Sequence, residues 1–216
     1  MVTGDKHERG IARHDISAVL LDKGFIFLSQ QSEKEVAGIL ESLGEVIHVT
    51  DVKINPQSRA LVTSPKALDF HTDHHKARWI LWHCLEQTDV GGESIIVDAA
   101  RVYNKLGDDN RRALTEIILF EHDVFGSGKD SHPLVEKENG TLRFYYSFWM
   151  ADDNMPAHQK SAFMAFREAV AEEESVKLKL QKGDVLVVDN HRMLHGRCAI
   201  KGSQDRFLKR FWIQEN

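Results

Sequence analysis

Three groups far apart in sequence constrain this chain more than any other feature. His71 and Asp73 stand two positions apart in Phe70-His71-Thr72-Asp73-His74-His75. On an extended chain that spacing turns both side chains to one face. An imidazole and a carboxylate side by side are two thirds of a metal site. A third candidate, His195, follows more than half a chain length later, in Val188-Asp189-Asn190-His191-Arg192-Met193-Leu194-His195-Gly196-Arg197. Two imidazoles and one carboxylate on one face of a metal leave its other positions open. A fold that serves these groups has to bring the two halves of the chain together.

The hydrophobic pattern suggests how. Residues 1–13 are polar and read as mobile. Asp15 reads as the N-cap of a short helix ending at Gly24, and Phe25–Leu28 as a buried strand. Ser32-Glu33-Lys34-Glu35 matches a capping box ahead of Val36, Ile39, Leu40 and Leu43 at helical spacing, with Gly44 as the stop. From Glu45 the period changes to two. Strand-like runs follow at Val46–Val52, Leu61–Thr63, the His71/Asp73 stretch, Trp79–Leu85 and Glu93–Val97. Asp98 caps a helix, Asp108 or Asp109 a second, and Phe163, Phe166 and Val170 mark a third. That last helix ends in Glu172-Glu173-Glu174, read as a solvated face. Residues 126–140 read as a long loop or lid, and Leu142–Phe148 as an aromatic strand. Val176–Leu180, Val185–Val188 and Arg206–Ile213 are the late strands. In the last, Arg206, Leu208, Arg210 and Trp212 share one face. The whole, residues 1–216, reads as one mainly β domain with flanking helices, a sandwich or jelly-roll barrel.

Composition closes off other classes. The net charge is −5 with Lys and Arg scattered, so no basic surface asks for nucleic acid. No apolar run approaches the roughly 20 residues of a membrane helix. The N-terminus lacks the apolar stretch of a signal peptide. Two cysteines, Cys84 and Cys198, make no disulfide framework and suit a reducing cytoplasm. Nothing in the sequence sets an oligomeric state.

Five motifs occur in order: His71-Thr72-Asp73; Val90-Gly91-Gly92-Glu93-Ser94; Gly183-Asp184-Val185-Leu186-Val187-Val188-Asp189-Asn190; Leu194-His195-Gly196-Arg197; and Asp205-Arg206-Phe207-Leu208-Lys209-Arg210. Over about Phe70 to Ile213 the chain resembles the Fe(II)/2-oxoglutarate-dependent oxygenases of the taurine dioxygenase superfamily. Within them it is most similar to clavaminate synthase and the arginine and asparagine hydroxylases. The resemblance implies a double-stranded β-helix, a cupin-like jelly roll with the metal in its mouth. It implies His71, Asp73 and His195 as iron ligands, Arg206 on the distal carboxylate of 2-oxoglutarate, and Ser94, in place of the commoner threonine, beside it.

The remaining candidates carry alternatives. Arg210 faces the side of Arg206, but four strand residues span roughly 13 Å. It therefore meets the substrate, the other end of the cosubstrate, or a structural acid. His74 and Arg197 are outer-shell candidates, with solvent exposure as the plainer reading. Arg143, Tyr145, Tyr146 and Trp149 are candidates for a substrate pocket, against an ordinary aromatic core. The implied activity consumes O2 and 2-oxoglutarate, releases succinate and CO2, and hydroxylates a small molecule, in this subgroup an amino acid or a metabolite derived from one. Asp73 argues against halogenation, because halogenating relatives lack the carboxylate. Two rivals remain: a zinc hydrolase built on the same His/Asp cluster, which leaves Arg206 without a task, and a non-catalytic jelly-roll binding protein.

Overall fold

The structure, a computed structural model, describes residues 13–215 apart from 56, 59, 121–123, 126–130, 139, 152–153 and 204. Two antiparallel sheets organise it. The larger has the order β1 (Phe25–Leu28), β11 (Val185–Asp189), β4 (Trp79–Glu86), β13 (Phe207–Gln214), β2 (Glu45–Lys53). The smaller has the order β10 (Val176–Leu178), β5 (Ser94–Asp98), β12 (Met193–Arg197), β3 (Leu68–His71). Strands from both halves of the chain alternate in each sheet. This is the double-stranded β-helix that the strand pattern and the resemblance imply.

The central strands are apolar on both faces because both faces are covered. In β4 and β11, Ile80, Cys84, Leu186 and Val188 point inward, where they meet Ile96 and Met193 of the smaller sheet. Their neighbours Trp79, Leu81, Val185 and Val187 point outward onto α1 (Arg13–Lys23) and α2 (Glu33–Leu43), against Ile16, Leu20, Val36, Ile39 and Leu43. Behind the smaller sheet, Val97 and Leu194 pack on α3 (Ala99–Lys105), α4 (Asp108–Glu116) and α5 (Ala157–Glu172). Each fully buried side chain of this kind stabilises the fold by about 1.5–3 kcal/mol before entropy is counted. The capping box of Ser32 and Glu35 and the Asp98 cap form as their sequences demand.

Several local expectations are corrected. Helix α1 starts at Arg13, so Asp15 lies inside it and is not its cap. The rest of the segment expected to be mobile, residues 1–12, lies outside the described residues. Leu61–Thr63 is a single 3-10 turn and not a strand. The carbonyls of Leu61, Val62, Ser64 and Lys66 are taken by the Arg197 guanidinium at 2.6–3.5 Å, so they are not available to a ladder. In the expected lid, residues 126–130 and 139 lie outside the described residues. The rest includes β7 (Ser131–Pro133), paired with β6 (Ile118–Phe120), and β8 (Val135–Glu138), paired with β9 (Thr141–Phe144). Strand β9 ends at Phe144 because the next residues bond elsewhere: Tyr145 N–H donates to Leu134 O and Tyr146 N–H to Thr72 Oγ1. Nor is Glu173 solvated. Its carboxylate is buried and paired with Arg101 at 3.1 Å and with Lys105, which ties α5 to α3.

Candidate metal centre

The pairing of β3 with β12 sets His71 and His195 opposite one another, with ring centroids 4.5 Å apart. Strand β3 stops at His71, so Asp73 is not on an extended strand as its spacing suggests. It sits in the following loop, which is clamped from two sides. Thr72 N–H donates to Tyr146 O at 2.8 Å. Asp73 N–H donates to Asn190 Oδ1 at 2.8 Å, and Asn190 Nδ2 donates to Ala77 O at 2.9 Å and His74 O at 3.3 Å. Asn190 is wholly buried, just before the turn into β12. One side chain thus ties the loop of Asp73 to the strand of His195.

The clamp brings the Asp73 carboxylate to 3.9 Å from His71 Nε2 and 3.8 Å from His195 Nε2. One candidate ligand atom from each of the three residues lies within 4.8 Å of the others, and all three side chains are buried. His71 Nδ1 meets Asp69 O at 2.9 Å, which assigns its proton to Nδ1 and leaves the Nε2 lone pair toward Asp73. Both ring nitrogens of His195 are buried without a hydrogen-bond partner among the described residues. Burial, then the neighbouring His71, push its pKa down to about 3, so the ring is neutral at pH 7. Burial likewise lowers His71. Burial pushes Asp73 up, but Arg210, the two histidines and the Trp212 N–H together hold it below its ordinary value. Two neutral imidazoles and an ionised carboxylate, with an orphaned Nε2 among them, fit a divalent metal ion.

His71 and His195 line a cavity between the sheets, part of it open to solvent. Val52, Leu186 and Leu208 give it apolar walls, and Ser94, Arg206 and Arg210 its polar points. Arg206 is 4% exposed, and no carboxylate pairs with it among the described residues. Burial and the neighbouring Arg197 push the guanidinium down to about 9, which still leaves it charged at neutral pH.

The other candidates separate. Arg210 Nη1 donates to both Asp73 oxygens, at 2.9 and 3.0 Å, so of its three readings the structure gives it the acid. Arg197 is buried and spent on the carbonyls of residues 61–66. His74 is buried, takes the Lys76 N–H on Nδ1, and lies with its ring 5.7 Å from that of Trp212. Arg143 pairs with Glu138 at 3.0 Å on the β8–β9 hairpin and does not line the cavity. Two residues were not singled out from the sequence, and a third, Trp149, was offered only for a substrate pocket. Trp212 Nε1 donates to Asp73 Oδ2 at 2.9 Å, and its place on the Arg206/Arg210 face was the signal for it. Trp82 packs edge-on to His195 at 4.8 Å. The half-exposed Trp149 lies 5.2 Å from His71.

Comparison with known proteins places this geometry. The profile of the "Taurine catabolism dioxygenase TauD, TfdA family" matches residues 5–212. Human (Homo sapiens) gamma-butyrobetaine dioxygenase is 31% identical over 174 residues, 71% of this chain and 44% of that protein. The chain therefore spans less than half the length of that relative. Among solved structures, an asparagine oxygenase in complex with Fe(II), 3-hydroxyasparagine and succinate superposes with a TM-score of 0.76 at 16% identity, covering 94% of this chain and 78% of its own. The non-haem iron oxygenase OrfP in complex with Fe and alpha-ketoglutaric acid gives 0.66 at 19%, covering 84% and 64%. At these identities the structural likeness is one of fold.

Proposed function

The chain belongs to the taurine catabolism dioxygenase TauD, TfdA family, and from that premise we propose that it is an Fe(II)- and 2-oxoglutarate-dependent dioxygenase. Its reaction is hydroxylation of an unactivated C–H bond in an amino acid or amino-acid-derived metabolite, with release of succinate and CO2. The observation that carries this reading is Arg206. A buried guanidinium without an acid is costly, and this one, which has none among the described residues, lines the same cavity as His71 and His195. A dicarboxylate keto acid satisfies both ends of that cavity at once. A zinc hydrolase gives Arg206 nothing to do, and a plain binding protein gives the His71, Asp73 and His195 cluster nothing to do.

Iron with 2-oxoglutarate and O2 supplies the oxidising power when bound. The chain supplies orientation and exclusion. His71 and His195 present neutral nitrogens and Asp73 an ionised oxygen, so the site needs no proton loss to take a metal. Arg206 offers a planar fork to the far carboxylate, and Ser94, at the start of β5, adds a hydroxyl. Leu186, Leu208 and Val52 give the space between apolar walls. Gly196, next to His195, lets β12 lie close on β3: a Cβ there would stand 2.5 Å from Leu68 O. The amino-acid substrate class follows the relatives described above. Two free thiols, Cys84 and Cys198, suit the reducing cytoplasm in which Fe(II) persists. No described helix is long and apolar enough to cross a membrane.

The test is an anaerobic titration of metal-free protein with Fe(II) and 2-oxoglutarate, followed by the weak visible charge-transfer band of the chelate. Wild type is expected to develop the band and Asp73→Ala to lose it. Absence of the band in wild type at every 2-oxoglutarate concentration would sink the assignment.

A further inference from the structure

Two donors on one strand hold the Asp73 carboxylate, and they differ in charge. Trp212 Nε1 gives a single N–H to Oδ2 at 2.9 Å. Its indole is fixed by rings around it, with His48 at 4.8 Å and His74 at 5.7 Å between centroids. Arg210 does not use its two-nitrogen fork. One nitrogen, Nη1, is shared between Oδ1 and Oδ2, while its Nε is buried without a partner among the described residues. The guanidinium therefore covers both oxygens, including the one a metal would need.

We infer that Trp212 is the positioning residue that aims the Asp73 carboxylate at the metal, and that Arg210 competes with the metal for that carboxylate. The inference rests on the reading of His71, Asp73 and His195 as a metal centre. A neutral N–H fixes a ligating carboxylate without opposing a cation, and outer contacts of this kind are worth about 10–100-fold in metal affinity. A guanidinium beside the same carboxylate completes the charge balance when the metal is absent. When a dication arrives, the like charge repels it in a site where screening is weak. The two donors thus act with opposite sign, although both bond to Oδ2 of the same carboxylate.

The experiment measures Mn(II) affinity of the whole chain at one fixed pH from the loss of the free-ion EPR signal, with thermal melting of each metal-free variant alongside. Trp212→Phe keeps the ring and removes the N–H; it is expected to bind Mn(II) about 10–100-fold more weakly with little change in melting. Arg210→Gln removes the charge; it is expected to bind Mn(II) more tightly than wild type although its metal-free form melts lower. A merely structural role would weaken binding in both. Unchanged affinity in Trp212→Phe, or weaker binding in Arg210→Gln, would overturn the inference. If Trp212→Phe does not fold, Arg210→Gln alone decides. Should wild type bind Mn(II) no better than Asp73→Ala, the metal-centre reading itself fails, an outcome distinct from the other two.

Discussion

Arg206, just ahead of β13, and Arg210, within it, lie four residues apart and line the same cavity, and the fold treats them oppositely. Arg210 is 9% exposed and bonded to Asp73. Arg206 is 4% exposed and has no acid among the described residues. A paired buried cation belongs to the protein's own electrostatics. An unpaired one costs stability, and the chain keeps it because something else completes it. The comparison teaches where the protein ends and its ligand begins: the Asp73 end of the cavity is assembled in advance, and the Arg206 end is left for a carboxylate.

The largest expected effect breaks the paired end. Asp73→Ala leaves Arg210 buried without its acid, and loss of one partner of a buried pair costs about 3–5 kcal/mol. Chemical denaturation of the metal-free protein would show that loss. A midpoint unchanged from wild type would mean that the Arg210 pair carries no weight.

The second prediction sharpens the comparison at the network beneath the Asp73 loop. His191 Nε2 meets His75 O at 2.7 Å and its Nδ1 faces Arg78 Nη1 at 3.3 Å, so the neutral ring uses both nitrogens. Burial is the main cause that lowers its pKa from 6.5 to about 4. A depressed folded-state pKa favours the neutral form, so this stability is present above pH 6.5 and is lost as pH falls toward 4. The loss amounts to about 3 kcal/mol. His191→Gln is expected to flatten the stability profile between pH 6.5 and 4. The neighbouring Asp189, pushed up to about 6 mainly by burial, acts with the other sign: its contribution is full below pH 3.8 and lost as pH rises through 6. A variant as steep as wild type across that window would contradict the assignment to His191.

Third comes the unpaired arginine. Arg206→Met removes a buried charge that has no acid, so the ligand-free variant is expected to melt no lower than wild type and to gain about 1–2 kcal/mol. It does so while losing 2-oxoglutarate-dependent activity. Stability and function then move apart at Arg206, whereas at Asp73 they fall together. The smallest effect is at Ser94. Ser94→Ala removes one hydroxyl from the same end, and is expected to raise the 2-oxoglutarate requirement about tenfold, with kcat little changed.

Much of this was legible in the sequence because period-two strands carry their own geometry. The alternation of Arg206, Leu208, Arg210 and Trp212 put three cavity residues and a donor to Asp73 on one face. The capping box at Ser32 and the double-sided apolar run Val185–Val188 read correctly for the same local reasons. What escaped depends on partners distant in the chain. Leu61–Thr63 looks like a strand until Arg197 takes its carbonyls. Glu173 looks solvated until Arg101 and Lys105 of α3 close on it. Short polar strands such as Val135–Glu138 show too little alternation to stand out from a loop. The clamp of Asn190 on the Asp73 loop crosses more than a hundred residues, and no local pattern announces it.

The central claim is that Arg206 waits for a carboxylate at the far end of a metal-bound keto acid. The direct measurement compares 2-oxoglutarate with 2-oxopentanoate, which has the same length but lacks the distal carboxylate. Both are titrated calorimetrically into Mn(II)-loaded wild type and Arg206→Met. Wild type is expected to prefer 2-oxoglutarate by about a hundredfold or more, and the preference is expected to collapse to within a few-fold in Arg206→Met. Equal binding of the two acids by wild type, or an undiminished preference in the variant, would contradict the account.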